Sequence, residues 1–216
     1  DNINSGYTQK YPDSNRDYIV LYRTEELKKV LIHELIHLYK FHSLSNLNSL
    51  KIYDLIKNTN NSFSIYEAYT ETFATLIYTF YFLKNSNKYN DLHNDYNELI
   101  KDQLLFSFLQ ASKVFYNQKI LNINNMKIIN ENTNAISYYI LKCVILNNLN
   151  LFKKMFNKKE GLLLNFPKRI IRFDELLVKS YNNNFKKKIN FFLLILKNKE
   201  LQSKNLLTTF RMNILD

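Results

Sequence analysis

The chain has 216 residues, of which 46% are hydrophobic and 15% aromatic, which excludes a disordered or fibrous polymer and allows one domain with a real core. Two glycines and two prolines are too few for a turn-rich β fold, and the single cysteine, Cys143, excludes an intramolecular disulfide framework. The formal charge of +11 admits an acidic partner such as nucleic acid, an anionic membrane or an acidic protein tail.

Residues 1–16 are polar, carry Gly6 and Pro12, and read as an irregular lead-in. Asp17 to Arg23 is rich in β-branched and aromatic residues and is predicted as a strand. Thr24, followed by Glu25 and Glu26, reads as a cap with two acids in the first turn, opening a helix over 25–41. Leu27, Val30, Leu31, Leu35 and Leu38 form its apolar stripe, with His33 and His37 beside it. An Asn-rich stretch over 43–62 encloses a short helix over 50–57. Ser64 opens a second strong helix over 65–83, which ends in Lys84-Asn-Ser-Asn. A third helix covers 95–118, with Leu99, Leu104, Leu105, Phe108 and Phe115 as its apolar positions. Residues 119–132 read as a short strand or loop, and 133–148 and 149–157 as helices. Pro167 breaks the chain, and helices over 173–181 and 185–202 close it.

No internal repeat or linker is visible. Phe191 to Leu196 is too short to span a membrane. The N-terminus lacks signal-peptide character, and Cys143 lies in an apolar run, so the expected setting is a reducing, cytoplasmic compartment. The lysines are spread over several short clusters with no nucleic-acid motif among them, which disfavours a nucleic-acid partner.

The chemistry concentrates in Leu31-Ile-His33-Glu34-Leu-Ile-His37-Leu38, an H-E-x-x-H pattern inside an apolar helix. Histidines at i and i+4 stand one turn apart on one face and can reach one metal ion. Glu34 lies about 100° round the helix from His33, near a metal-activated water without being a ligand. Zinc (Zn2+) needs this set together with a third protein ligand from elsewhere. Glu67 and Glu71 are one turn apart on the next strong helix. Glu67 is the candidate third ligand. Glu71 would then hydrogen-bond the far nitrogen of a ligating histidine and fix its tautomer. Ala74, a further turn along, is small enough to let the two helices approach. Ser64 and Glu67 also form a capping-box pattern, in which case Glu71 is the ligand instead.

H-E-L-I-H followed by Glu67-Ala-Tyr-Thr-Glu71-Thr-Phe-Ala74 resembles the gluzincin group of zinc metallopeptidases, the thermolysin-like and aminopeptidase-like enzymes. The resemblance covers 17–83 at most. It implies His33, His37 and Glu67 as zinc ligands, Glu34 as general base and Glu71 as the partner of a ligating histidine. It also implies that the strand over 17–23 receives the substrate backbone. The longer pattern with a third histidine is absent, because His42 falls five residues after His37 and no glycine lies between them.

The implied activity is zinc-dependent hydrolysis of peptide bonds in a peptide or protein substrate. An acidic substrate would fit the basic charge. The tetrahedral oxyanion needs a second donor. Tyr138 and Tyr139 are the first candidates, with His93, Tyr66 and Tyr69 behind them, and His93 is expected on an exposed loop. Arg23, Arg169, Arg172 and Arg211 could hold a substrate carboxylate. The expected fold is mainly α (α+β) and zincin-like. A short N-terminal strand or sheet packs on the H-E-x-x-H helix, and the C-terminal half is helical. A single domain spans 1–216, with a core over 17–83 and a helical subdomain over 95–216 completing the cleft. The rivals are a catalytically inactive zincin-like protein and a basic nucleic-acid-binding helical protein.

Overall fold

A computed structural model describes residues 6–9, 17–22, 24–39, 51–56, 63–87, 89–125, 128–130, 133–155, 166–198, 210–211 and 214–215. The architecture is mainly helical with one two-stranded sheet. Strands β1 (Gly6–Gln9) and β2 (Tyr18–Leu21) pair antiparallel, with Gly6 opposite Leu21 and Thr8 opposite Ile19. The predicted strand over 17–23 is therefore shorter, and Arg23 lies outside the described residues. Part of the lead-in read as irregular is β1. Its Gly-Tyr-Thr-Gln sequence has no apolar alternation, and its partner supplies the order. Gly6 is required there by close approach. A Cβ would lie 2.8 Å from the Val20 carbonyl oxygen and 3.1 Å from Val30 Cγ1. The sheet face that carries Gly6 and Thr8 consequently lies against the first helix.

That helix, α1 (Leu27–Leu38), differs from expectation in two ways. Its N-cap is Glu26 in the left-handed region (φ 60°) with no side-chain cap, so Thr24 does not cap it. Its buried face is Lys29, Val30, His33, Glu34 and Ile36, whereas Leu27 and Leu31 are 44% and 39% exposed. The helix is rotated away from its leucine stripe because the charged residues on the other face have partners to meet. Residues 40–41 of the predicted helix lie outside the described residues.

Helix α2 (Lys51–Leu55) is short, and α3 (Ile65–Lys84) packs along α1. Ser64 caps α3, its hydroxyl accepting the Glu67 N–H at 3.3 Å. Helix α4 (Leu92–Asn117) begins three residues earlier than 95 because Asp91 caps it, accepting the His93 and Asn94 N–H groups. Its Leu105, expected in the apolar stripe, is exposed. A 3-10 turn over Ile123–Asn125 follows. The next predicted helix starts as a π-helix, Ile136–Leu141, and continues as α5 (Lys142–Asn147) and α6 (Leu149–Lys153).

Helix α7 (Phe166–Ser180) contains Pro167 in its first turn. Proline is tolerated there because the N–H it lacks would have no intrahelical partner. The helix expected from 173 thus begins at Phe166, and residues 156–165 before it lie outside the described residues. Asp174 of α7 accepts the Lys51 and Ile52 N–H groups at 3.0 Å and so caps α2 from across the chain. Helix α8 (Asn183–Lys197) packs on α4. Residues 199–202 of its predicted extent lie outside the described residues.

One cluster of buried side chains runs from Val30 on α1 to Leu193 on α8 and includes Cys143. Among the described residues no helix is long and apolar enough to cross a membrane.

Candidate metal centre

Three segments meet at the site, and each contributes residues four apart. Helix α1 carries Lys29, His33 and His37. Helix α3 carries Glu67 and Glu71. The π-helix and the start of α5 carry Tyr138 and Lys142. A spacing of four puts each set in one row. The π-helix lies at this junction, as such turns often do at functional sites. It is tied to the start of α3 by Ser64 N–H donating to Ser137 Oγ at 2.8 Å. That bond occupies the N–H that a capping box would give to Glu67, so Glu67 does not serve as a cap partner.

The Glu67 carboxylate instead faces both histidines. Its Oε2 is 3.2 Å from His33 Nε2, and its Oε1 is 3.4 Å from His37 Nε2. The two Nε2 atoms are 3.0 Å apart. Four-coordinate zinc with bonds of about 2.0–2.1 Å separates neighbouring ligand atoms by roughly 3.3 Å. The Glu67 carboxylate turns a different oxygen to each imidazole nitrogen, and all three contacts are close to the separation of ligand atoms around one zinc ion. His33, His37 and Glu67 form a triad that could hold a metal ion. The donor set also fits zinc chemically, since borderline nitrogen ligands and one carboxylate are its usual partners.

Glu71 lies one turn further along α3 and is completely buried. Its two oxygens have separate duties. Oε2 is 3.1 Å from His33 Nδ1. Oε1 accepts from Lys29 and, at 3.2 Å, from Lys142. A carboxylate on Nδ1 favours the tautomer with its proton there, which leaves the Nε2 lone pair facing Glu67 and His37.

Glu34 is buried but is not one of the triad. The Thr8 hydroxyl of β1 lies 2.8 Å from Glu34 Oε2 and 3.0 Å from the Glu34 carbonyl oxygen, donating to either acceptor. The sheet thus meets α1 at the carboxylate next to the first histidine.

The electrostatics follow from this crowding. Burial opposes a charged imidazole at His33, but bonds to Glu67 and Glu71 outweigh it and raise its pKa to about 9. Burial likewise opposes charge on Glu67, yet the two histidines hold its carboxyl far below the usual range. Glu71 is also depressed against burial, first by the charges of Lys29 and Lys142 and then by His33. Burial pulls Lys142 down. Tyr138 is pushed far up, by burial first and then by the charges of Glu67 and Glu71, so its phenol stays a donor. That phenol donates to Glu67 Oε2 at 3.1 Å, and its ring stands edge-on to His33.

The other expected residues lie elsewhere. The Tyr139 ring packs on Phe210, and Tyr69 lies in the core among Phe73, Phe152 and Phe173. Tyr66 is also buried. His93 is exposed in the first turn of α4, not on a loop, with Nε2 3.2 Å from Asn97 Nδ2. Arg172 is exposed, and the Arg169 side chain lies outside the described residues.

Three site residues escaped the sequence reading. Lys29 and Lys142 had a signal: each stands one turn from a chosen residue, and Lys142 interrupts an apolar run. Thr8 had none. No protein-family model, curated protein or solved structure matches this chain.

Proposed function

We propose that the chain is a zinc-dependent peptidase on a zincin-like core, with His33, His37 and Glu67 holding the metal and Glu34 as general base. The observation that carries the reading is the pairing of a close His33–His37–Glu67 donor cluster with a buried carboxylate, Glu34, that is not part of it. A purely structural metal site has no use for such a base.

Zinc at the triad would supply Lewis acidity toward the attacking water and the scissile carbonyl. Glu34 takes the proton of the attacking water and delivers it to the leaving amine. Thr8 holds that carboxylate in place from the sheet. Glu71 orients His33 so that its Nε2 lone pair faces the metal position. Tyr138, whose phenol touches the triad at Glu67, is placed to donate to the oxyanion by turning from Glu67. Peptides with acidic character suit the +11 charge.

The test is hydrolysis of a peptide library by zinc-loaded protein, beside Glu34→Gln. The reading expects cleavage by the wild type and metal retention without cleavage by the variant. Equal cleavage by both, or none by fully loaded wild type across the library, overturns it.

A further inference from the structure

Hydrolysis explains the triad and Glu34, but it does not explain why two lysines are buried beside them. Lys29 is fully buried and Lys142 nearly so, at 0% and 2% exposure. Both ammonium groups contact one oxygen of Glu71, from two different elements packed on α3: Lys29 from α1, Lys142 from α5. Orienting His33 requires only Glu71 Oε2. One carboxylate without lysines would suffice for that task, so the two cations need another reason.

The charges supply one. Glu34, Glu67 and Glu71 are packed here, and Glu26 is buried close enough to act on Lys142, so the carboxylates are all buried or half-buried. A divalent metal would offset two of their negative charges. With no metal bound, such a cluster needs cationic side chains beside it in a poorly solvated interior. Lys29 and Lys142 contribute two positive charges at the same place.

We propose that Lys29 and Lys142 are built-in counter-ions that keep the site assembled while empty and weaken its grip on metal, making loading reversible. The inference rests on the metal reading above and concerns its regulation. Where structural zinc domains unfold on losing their ion, this chain keeps its ligands in place and responds to metal availability. Both lysines are positioning residues that act through Glu71 and touch neither metal nor substrate.

A cation beside a dication site opposes binding. Removing one should therefore tighten the metal, whereas losing a merely structural contact would loosen it. The experiment measures zinc affinity by chelator competition, the visible spectrum of the cobalt-substituted protein, and thermal unfolding by circular dichroism, with and without metal. It compares wild type, Lys142→Met and Lys29→Met. The wild type stripped with chelator is expected to keep its helical spectrum. Lys142→Met should melt roughly 10 °C lower than wild type when metal-free, because a buried charge has lost a partner. It should also bind zinc at least about tenfold more tightly, which is about 1.4 kcal/mol. Saturating metal should restore most of the lost melting temperature.

Equal or weaker zinc affinity in a folded Lys142→Met overturns the proposal but leaves the metal reading intact. Collapse of the stripped wild type also overturns it. If both single variants stay unfolded in saturating zinc, it fails as well, because the metal should then supply the missing charge. A wild type that binds no zinc or cobalt at all overturns both this proposal and the metal reading.

Discussion

Replacing Glu71 with glutamine keeps the size of the side chain and removes its charge. In the native site Glu71 is fully buried, accepts from Lys29 and Lys142, and lies 3.1 Å from His33 Nδ1. The variant leaves two buried ammonium groups without the carboxylate that stood between them. Breaking a buried ion pair from one side costs about 3–5 kcal/mol, and one carboxylate serving two cations puts the expectation near about 5 kcal/mol. For a chain of this size each kcal/mol moves the midpoint by about 2–4 °C, so metal-free Glu71→Gln should melt roughly 10–20 °C below wild type. The assay is thermal unfolding of chelator-treated protein followed by far-ultraviolet circular dichroism at neutral pH. The triple variant Glu71→Gln/Lys29→Met/Lys142→Met is the control. It should recover most of the loss, since apolar groups of similar volume replace a buried ionic cluster at little cost. A single variant melting within about 2 °C of wild type would refute the burial and pairing on which this reasoning stands.

Thr8→Val removes the hydroxyl that holds Glu34 and keeps the shape. One bond to a charged group, only partly buried, is worth about 1.5 kcal/mol, so kcat should fall roughly tenfold with zinc affinity unchanged. Thr8→Ser should restore kcat, and an unchanged kcat in the valine variant would remove Thr8 from the mechanism. Gly6→Ala forces a Cβ to within 2.8 Å of the Val20 carbonyl oxygen. It should cost about 1–3 kcal/mol by overpacking the sheet against α1. A melting temperature equal to wild type would show that the strands give way freely. The metal-free protein should also lose stability in mild alkali. The His33 pKa is raised from 6.5 to about 9, so the stabilisation from its protonated form is complete below pH 6.5. That stabilisation is lost as the pH climbs through about 9, and a shift of this size corresponds to about 3 kcal/mol. Zinc-loaded protein, with His33 neutral throughout, should lack this loss. Parallel melting curves for the two forms between pH 6.5 and 9 would contradict the pairing of His33 with Glu67 and Glu71.

The site was legible where it depends on spacing. His33, His37, Glu67 and Glu71 fall on two helix faces by the four-residue period alone, and Ser64 marked the start of α3 to the residue. Ser64 also raised an alternative, since its capping pattern with Glu67 is indistinguishable in sequence from a capping box. In the structure the reciprocal half of that box is not formed, because Ser137, 73 residues away, takes the Ser64 N–H. Burial was less legible than periodicity. Hydrophobicity assigns Leu27 and Leu31 to the core, yet Lys29 is fully buried and both leucines are exposed. Long-range ion pairing decided the rotation of α1, and no local pattern records it. Strand β1 was illegible for the same reason, because its four residues take their order from β2 and from Val30. Tyr138 and Tyr139 are adjacent and equivalent in sequence. Only the turn of the π-helix sends one to Glu67 and the other toward Phe210.

The most direct test is metal content. Protein reconstituted with zinc and freed of excess ion is analysed by elemental mass spectrometry beside the His33→Ala/His37→Ala double variant. The triad of two histidines and Glu67 predicts about one zinc per wild-type chain and almost none in the variant, with both folded. Wild type without zinc, or a folded variant that keeps as much as wild type, would mean that these side chains do not form a metal site.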